Sequence, residues 1–191
     1  ALTHCVEAYV SNIDDIFADV LAKGGLEIVF ENLPEAVNNP ANLVARQRMH
    51  DASFMGGLAF NNAWLGIVHS LSHQVGAMFG IPHGCCNAIF LPNVIRFNQS
   101  ASTKFPDLAR LVGGNTAEDL AQAIEKLRSD VNNIGSIRAY GISEELFEEK
   151  LDYMANNALI DPCTGFNPRK PTVEELKTIY RLCFEGAVYQ E

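Results

Sequence analysis

The sequence has little positive charge and no long hydrophobic run. Its 14 lysine and arginine residues are outnumbered by 23 aspartate and glutamate residues, which gives a formal net charge of −9. The basic residues form no dense cluster, so nucleic acid and anionic membrane surfaces are not expected as partners. The longest run without a polar residue, Val75 to Pro82 when glycine and proline are counted, is far shorter than the roughly 18 residues of a membrane-spanning helix.

Cysteine is sparse, and its arrangement does not indicate disulfide bonds. There are five cysteines, an odd number, and Cys85 and Cys86 are adjacent, unlike the spaced, even sets of secreted domains. The first residues, A-L-T-H-C-V-E, lack the basic and apolar regions of a secretory signal. A reducing, cytoplasmic setting is expected.

Two further absences concern the fold. No segment alternates apolar and polar residues as a half-buried strand does, and no G-x-G-x-x-G follows a strand pattern, so no nucleotide-binding half is expected here. Hydrophobic residues make up 48% and charged residues 19% of the 191 residues, which is typical of a globular protein. We predict one all-α domain, residues 1–191, of seven to nine helices.

Helix signals are present along the whole chain. A first long helix is expected after Asp14-Asp15, closed by Pro34 and the turn at Asn38 to Pro40. A second is expected from Pro40, with Gly56 and Gly57 allowing close packing of helices. Later helices are predicted from about Ala63 to Phe79, from His83 to about Phe97 with a kink or a short helix because of Pro92, and after the N-cap residues Thr116, Ser143 and Thr172.

Three of the five histidines lie between Val68 and Gly84. His69 and His73 are four residues apart and share one face of a helix. His83 is 14 residues after His69, about 21 Å along a continuous helix, which is too far for two ligands of one ion. Only a turn at Gly80-Ile81-Pro82 can bring these two side chains together.

The residues alone leave other interpretations open. A single histidine on an apolar helix is more commonly a hydrogen-bonded core residue than a metal ligand. His50 lies among charged residues and is expected at the surface, whereas His4 could complete a site from a separate helix. Phe60 and Cys163 are most simply a core aromatic residue and a buried thiol.

Four segments extend over essentially the whole chain and read A-L-T-H-C-V-E-A-Y-V-S, A-R-Q-R-M-H-D-A-S, G-L-A-F-N-N-A-W-L-G-I-V-H-S-L-S-H-Q-V-G-A-M-F-G-I-P-H-G-C-C-N-A-I-F-L-P-N-V-I-R-F-N and D-P-C-T-G-F-N-P-R-K-P-T. Together, and in this order, they resemble the iron-dependent (group III) alcohol dehydrogenases. The resemblance implies the helical C-terminal half of such an enzyme, with the N-terminal α/β dinucleotide-binding half absent from this chain. Similarity to the alcohol dehydrogenase half of bifunctional aldehyde-alcohol dehydrogenases is also present, but a longer insertion expected of that group is missing, which favours a stand-alone enzyme.

The resemblance also implies roles for individual residues. The family's metal ligands correspond to His4, His69 and His83, with an aspartate expected immediately before Ala1. His73 corresponds to a position beside the nicotinamide and the substrate, and Phe60 and Cys163 to positions that line the substrate pocket. The implied metal is Fe²⁺, although zinc also suits such ligands, and the implied cofactor is NAD or NADP, bound mainly by the absent half.

The implied reaction is hydride transfer between a primary alcohol or aldehyde substrate and the nicotinamide, in a homodimer. A zinc hydrolase is disfavoured because the sequence has no H-E-x-x-H. A metal-binding or interaction domain without catalysis of its own stays as the alternative for this chain alone.

Overall fold

Helices form almost all of the regular structure. The computed structural model describes residues 1–190, and in that range it contains no β-strand. The predicted all-α fold is therefore confirmed, with nine α-helices among the described residues. They are α1 (Leu2–Val10), α2 (Ile16–Asn38), α3 (Leu43–Ala63), α4 (Ile67–Phe79), α5 (His83–Asn98), α6 (Phe105–Leu111), α7 (Ala117–Asp130), α8 (Glu144–Ile160) and α9 (Val173–Glu185), and 3₁₀ turns occupy Gln99–Ala101, Arg138–Tyr140 and Pro162–Phe166.

The predicted N-caps begin three of these helices. Thr116 and Thr172 each form a reciprocal capping box with the acidic residue three positions later, and the Ser143 hydroxyl accepts a hydrogen bond from the Leu146 N–H. These side chains satisfy amide groups that have no partner inside the helix. The sequence therefore located the starts of α7, α8 and α9 correctly.

Helix α2 ends at Asn38, at the predicted turn, and Pro34 lies inside its last two turns, because a proline this close to the C-terminus removes one amide donor without leaving much helix beyond it. One predicted helix boundary was wrong. The helix predicted to begin near Ala63 begins instead at Ile67, and Ala63 is the last residue of α3. Trp64, with a φ of 65°, separates the two helices, because this left-handed conformation cannot continue a right-handed helix.

Pro92 lies inside α5, which is continuous rather than broken. A proline has no N–H for the carbonyl four residues earlier, which here belongs to Ala88. The Arg128 side chain of α7 supplies the missing donor, with its Nη1 3.1 Å from the Ala88 oxygen. A neighbouring helix thus replaces the hydrogen bond that Pro92 cannot make.

Helix α1 lies close against the α2–α3 hairpin because glycines face it. A Cβ on Gly25 would be 2.7 Å from the Cys5 sulfur, and one on Gly56 would be 3.3 Å from the same sulfur and from His4 Cβ. The expectation for Gly56 is confirmed. It was wrong for Gly57, where a Cβ would meet nothing within 4 Å, so that glycine has no packing role.

Helix α4 is held from its other side by α9. The Tyr180 hydroxyl donates to the Leu71 carbonyl at 3.2 Å, and the Tyr180 ring meets Phe90 edge-to-face at 5.5 Å. All three residues are fully buried. Helices α4 and α5 are therefore fixed in the core, and their histidines are carried by a rigid framework.

Candidate metal centre

The N-terminus of α4 is capped by side chains from other parts of the chain. Gly66 offers no cap of its own. Instead, the Val68 N–H donates to Glu7 Oε1 of α1 at 2.7 Å, and the Ile67 N–H donates to Asn167 Oδ1 at 3.3 Å. These two contacts fix the position of α4, and with it the position of His69.

A tight turn brings His83 back towards α4. Gly80 ends α4 in the left-handed conformation, with a φ of 68°, and Pro82 precedes the first residue of α5. The ring centroids of His69 and His83 are 5.1 Å apart despite their separation in sequence. The predicted turn at Gly80-Ile81-Pro82 is confirmed.

His69 is the central member of a cluster of three imidazoles. The His4 ring stacks on it at a centroid distance of 5.0 Å, and His83 approaches from the other direction. His69 is buried, His4 is half-buried, and His83 is exposed. The cluster therefore extends from the protein interior to its surface and is reachable by solvent at one end.

The hydrogen bonds show which ring nitrogens are free. Glu7 Oε2 is 2.5 Å from His69 Nδ1, so this nitrogen carries the proton that the carboxylate accepts. The Asn87 amide nitrogen then lies 3.2 Å from His69 Nε2 and 3.1 Å from His83 Nε2, donating to both. Two nitrogen lone pairs, from residues on α4 and α5, thus converge on one position.

Burial keeps the outer two imidazoles neutral. It lowers the pKa of His4 to about 3, and positive charge on neighbouring groups adds to the effect. Burial also lowers the pKa of His83, with the other imidazoles as a smaller cause. Neutral imidazole is the form that binds metal ions, so His4, His69 and His83 offer nitrogen donors of the kind that a divalent cation takes, although these three do not bring their ligand atoms within 4.8 Å of one another.

His73 adjoins the three imidazoles but has a carboxylate partner of its own. Its Nδ1 is 2.8 Å from Asp161 Oδ2, and its ring stacks on His83 at 5.6 Å with 42% of the side chain exposed. Burial acts to raise the pKa of Asp161, but hydrogen bonds from His73 and from the Cys163 N–H outweigh it and hold the pKa below its usual value. This arrangement fixes the His73 ring and leaves its Nε2 free.

The two predicted pocket residues are neighbours of different histidines. The Phe60 ring is 4.6 Å from that of His4, whereas Cys163 adjoins Asp161 and His73. Burial and the Asp161 charge raise the pKa of the Cys163 thiol to about 12. Among the described residues, His73, Asp161 and Cys163 are the set that brings three ligand atoms, one nitrogen, one oxygen and one sulfur, within 4.8 Å of one another, so they are a competing candidate for holding a cation.

Sequence reasoning missed three residues of this region: Glu7, Asn87 and Asp161. Glu7 follows His4 by three positions and Asn87 follows His83 by four, so each shares a helix face with a histidine. That spacing was the available signal. Asp161 had no such signal beyond its place two residues before Cys163.

His50 is exposed, as predicted, and none of the helices within residues 1–190 combines the length and the apolar character needed to cross a membrane.

Several known proteins are similar in sequence to this chain. The chain is 40% identical over 193 residues to the NADPH-dependent butanol dehydrogenase of Clostridium saccharobutylicum, covering 97% of this chain and 49% of that protein. It is 35% identical over 216 residues to the bifunctional aldehyde-alcohol dehydrogenase AdhE of Escherichia coli K12, covering 100% and 24%. The chain thus spans about half of the first relative and a quarter of the second.

Two solved structures superpose closely on this fold. A 1,3-propanediol oxidoreductase gives a TM-score of 0.90 at 39% identity, covering 96% of this chain and 49% of the other. An iron-containing alcohol dehydrogenase from Thermococcus thioreducens gives 0.88 at 34%, covering 97% and 48%. Residues 1–184 match the family described as Fe-containing alcohol dehydrogenase, C-terminal. With this match over nearly its whole length, the chain belongs to the Fe-containing alcohol dehydrogenase family and carries its C-terminal helical domain.

Proposed function

We propose that this chain is the metal-binding catalytic half of an NAD(P)-dependent alcohol dehydrogenase that interconverts primary alcohols and aldehydes. The observation that carries the proposal is the convergence of His69 Nε2 and His83 Nε2 on one position, with His4 stacked on His69. We assign the cation to His4, His69 and His83. Fe²⁺ is the proposed ion, and zinc suits the same nitrogen ligands.

The bound cation would supply Lewis-acid polarisation of the substrate oxygen. The chain's own residues do the rest. His73, held through Nδ1 by Asp161, exchanges the hydroxyl proton with solvent at its free Nε2. Phe60 and Cys163 line the substrate pocket, and His73 also borders the nicotinamide.

The remaining parts of the enzyme are proposed from family membership. Residues 1–191 act as one metal- and substrate-binding domain, and an α/β domain elsewhere in the longer protein binds the nicotinamide dinucleotide. We propose a stand-alone cytoplasmic enzyme that forms a homodimer. Without the dinucleotide-binding half, the chain is expected to bind the cation but not to oxidise alcohol.

The test compares single alanine substitutions in the longer protein that contains this chain. His4→Ala, His69→Ala and His83→Ala should lower both the bound metal, measured by elemental analysis, and the alcohol-dependent reduction of nicotinamide. His73→Ala should retain the metal and slow turnover. His50→Ala is the matched control, because this histidine is exposed on α3, and it should retain both.

The same variants test whether the cation is held instead by the group of His73, Asp161 and Cys163. If His73→Ala lost the metal and His69→Ala kept it, the cation would lie at His73, Asp161 and Cys163, and the assignment proposed here would be wrong. If all variants and the parent bound metal but none reduced nicotinamide, the alternative of a metal-binding domain without catalysis would be supported.

A further inference from the structure

Glu7 is a buried carboxylate with two fixed donors. Its side chain is 4% exposed, and its two oxygens contact different groups of α4. Oε1 lies 2.7 Å from the Val68 backbone nitrogen, and Oε2 lies 2.5 Å from His69 Nδ1. The carboxylate therefore links the backbone at the start of α4 to the central imidazole of the cluster.

The backbone contact determines the proton on the imidazole. An amide N–H can only donate, so Oε1 must accept, and an ionised carboxylate can only accept at Oε2 as well. His69 must then present its N–H at Nδ1. A neutral imidazole has one N–H, so Nε2 carries the lone pair, which agrees with the Asn87 amide donating to it at 3.2 Å.

We infer that Glu7 is a positioning residue for the metal centre. It holds His69 in the Nδ1–H tautomer, which leaves a lone pair on Nε2 facing the Asn87 amide nitrogen, the atom that His83 Nε2 also faces. Its carboxylate lies directly behind the His69 ring, which favours binding of a cation on the far side of the imidazole. The inference rests on the proposed function, because it takes His69 to be a ligand.

The Glu7→Gln variant isolates this effect, because it keeps the size and shape of the side chain. Glutamine has one carbonyl oxygen for two donors. If the oxygen accepts from Val68, the amide NH₂ faces His69 Nδ1 and forces the proton to Nε2. A protonated Nε2 has no lone pair left to bind a cation. If the oxygen accepts from His69, the NH₂ meets the Val68 N–H, two donors in contact.

The experiment measures the tautomer and metal binding separately in the longer protein. Nitrogen-15 NMR of the metal-free protein should show His69 protonated at Nδ1 in the parent and at Nε2 in Glu7→Gln. Titration with Co²⁺, followed by its visible absorption, should give a dissociation constant about 10- to 100-fold higher in Glu7→Gln, the usual effect of losing such a partner.

Asn167→Ala is the matched control. Asn167 caps the adjacent Ile67 N–H but does not contact His69. This variant should lower the melting temperature while leaving the His69 tautomer unchanged and the Co²⁺ dissociation constant within about threefold of the parent. If Asn167→Ala weakened Co²⁺ binding as much as Glu7→Gln, metal binding would depend on the capping of α4 alone and not on the His69 tautomer. That result would overturn the inference.

Two outcomes separate this inference from the proposed function. If His69→Ala loses Co²⁺ but Glu7→Gln binds it like the parent, only the role of Glu7 is wrong. If His69→Ala binds Co²⁺ like the parent, the metal assignment and the inference both fall. The parent spectrum is decisive even if Glu7→Gln does not fold, because a proton on His69 Nε2 in the parent would contradict the inference directly.

Discussion

His73 Nδ1 and Asp161 Oδ2 lie 2.8 Å apart, although the two residues are 88 positions apart in the chain. Asp161 is itself held in place, since its Oδ1 accepts from the Cys163 N–H at 2.9 Å and from the Ser70 hydroxyl at 3.3 Å. The imidazole is thus oriented by an anchored carboxylate. In the proposed reaction this contact keeps the proton-exchanging nitrogen, Nε2, directed at the substrate space.

We expect Asp161→Asn to slow turnover without releasing metal. The amide NH₂ can face His73 only if Nδ1 gives up its proton, which moves the N–H to Nε2 and reverses the direction of proton exchange. The expected loss in kcat is about 10- to 100-fold, at the lower end of what a proton-transfer group contributes. Steady-state kinetics and elemental analysis of the same samples provide the measurement.

Cys163→Ser serves as the control for Asp161→Asn. It retains the backbone N–H that donates to Asp161 and changes only the thiol, which should leave the bound metal unchanged. Metal loss in either Asp161→Asn or Cys163→Ser would indicate that the group of His73, Asp161 and Cys163 holds the cation.

Gly66 is needed because two side chains occupy the space beside it. A Cβ at this position would lie 2.8 Å from Asn167 Oδ1 and 2.9 Å from Glu7 Oε1. The φ of Gly66, −119°, is open to any residue, so the obstacle is steric. Gly66→Ala should reduce the free energy of unfolding by about 1–3 kcal/mol, as overpacking does, and should weaken metal binding through Glu7.

Gly57→Ala is the matched substitution in open space, where the new methyl meets nothing within 4 Å. Gly57 lies inside α3, so alanine should instead raise the free energy of unfolding by about 0.5–1 kcal/mol. Urea denaturation of both variants tests the pair. A Gly66→Ala variant as stable as Gly57→Ala would show that the two side chains at the start of α4 are free to move away.

The helices were predictable because their signals are local. Capping residues such as Thr116 and Thr172, and the turn at Gly80-Ile81-Pro82, depend on neighbours within four residues. The contacts of Glu7 with His69 and of Asp161 with His73 could not be predicted in this way, since they join residues 62 and 88 positions apart. The compensating donor for Pro92 could not be predicted for the same reason, because Arg128 is on another helix.

The Pro92 and Arg128 pair can be tested by a double-mutant cycle. Arg128→Met removes the donor to the partly buried Ala88 carbonyl and should cost about 0.5–1.5 kcal/mol, the net contribution of one intramolecular hydrogen bond. In a Pro92→Ala background, the new N–H at position 92 can donate to the same carbonyl, so Arg128→Met should cost much less. Urea denaturation of all four proteins gives the coupling energy, and equal costs in both backgrounds would contradict the compensation.

Acid should destabilise the metal-free protein through His4. Burial lowers the pKa of this imidazole in the folded state from 6.5 to about 3. Between these two pH values the unfolded chain binds a proton that the folded chain does not, so stability falls as pH falls. If the whole pKa shift were realised, the free energy of unfolding would fall by about 1.4 kcal/mol per pH unit. Since His4 is only half-buried, solvent screening makes the expected slope smaller.

The measurement is urea denaturation between pH 7 and pH 5 with a chelator present, on the parent and on His4→Gln. Glutamine does not titrate, so the variant should lose less stability on acidification. A contribution of the same sign should persist in the variant, because burial lowers the pKa of His83 as well. Parallel curves for the two proteins would contradict the prediction, because they would mean that His4 takes up its proton equally in the folded and unfolded states.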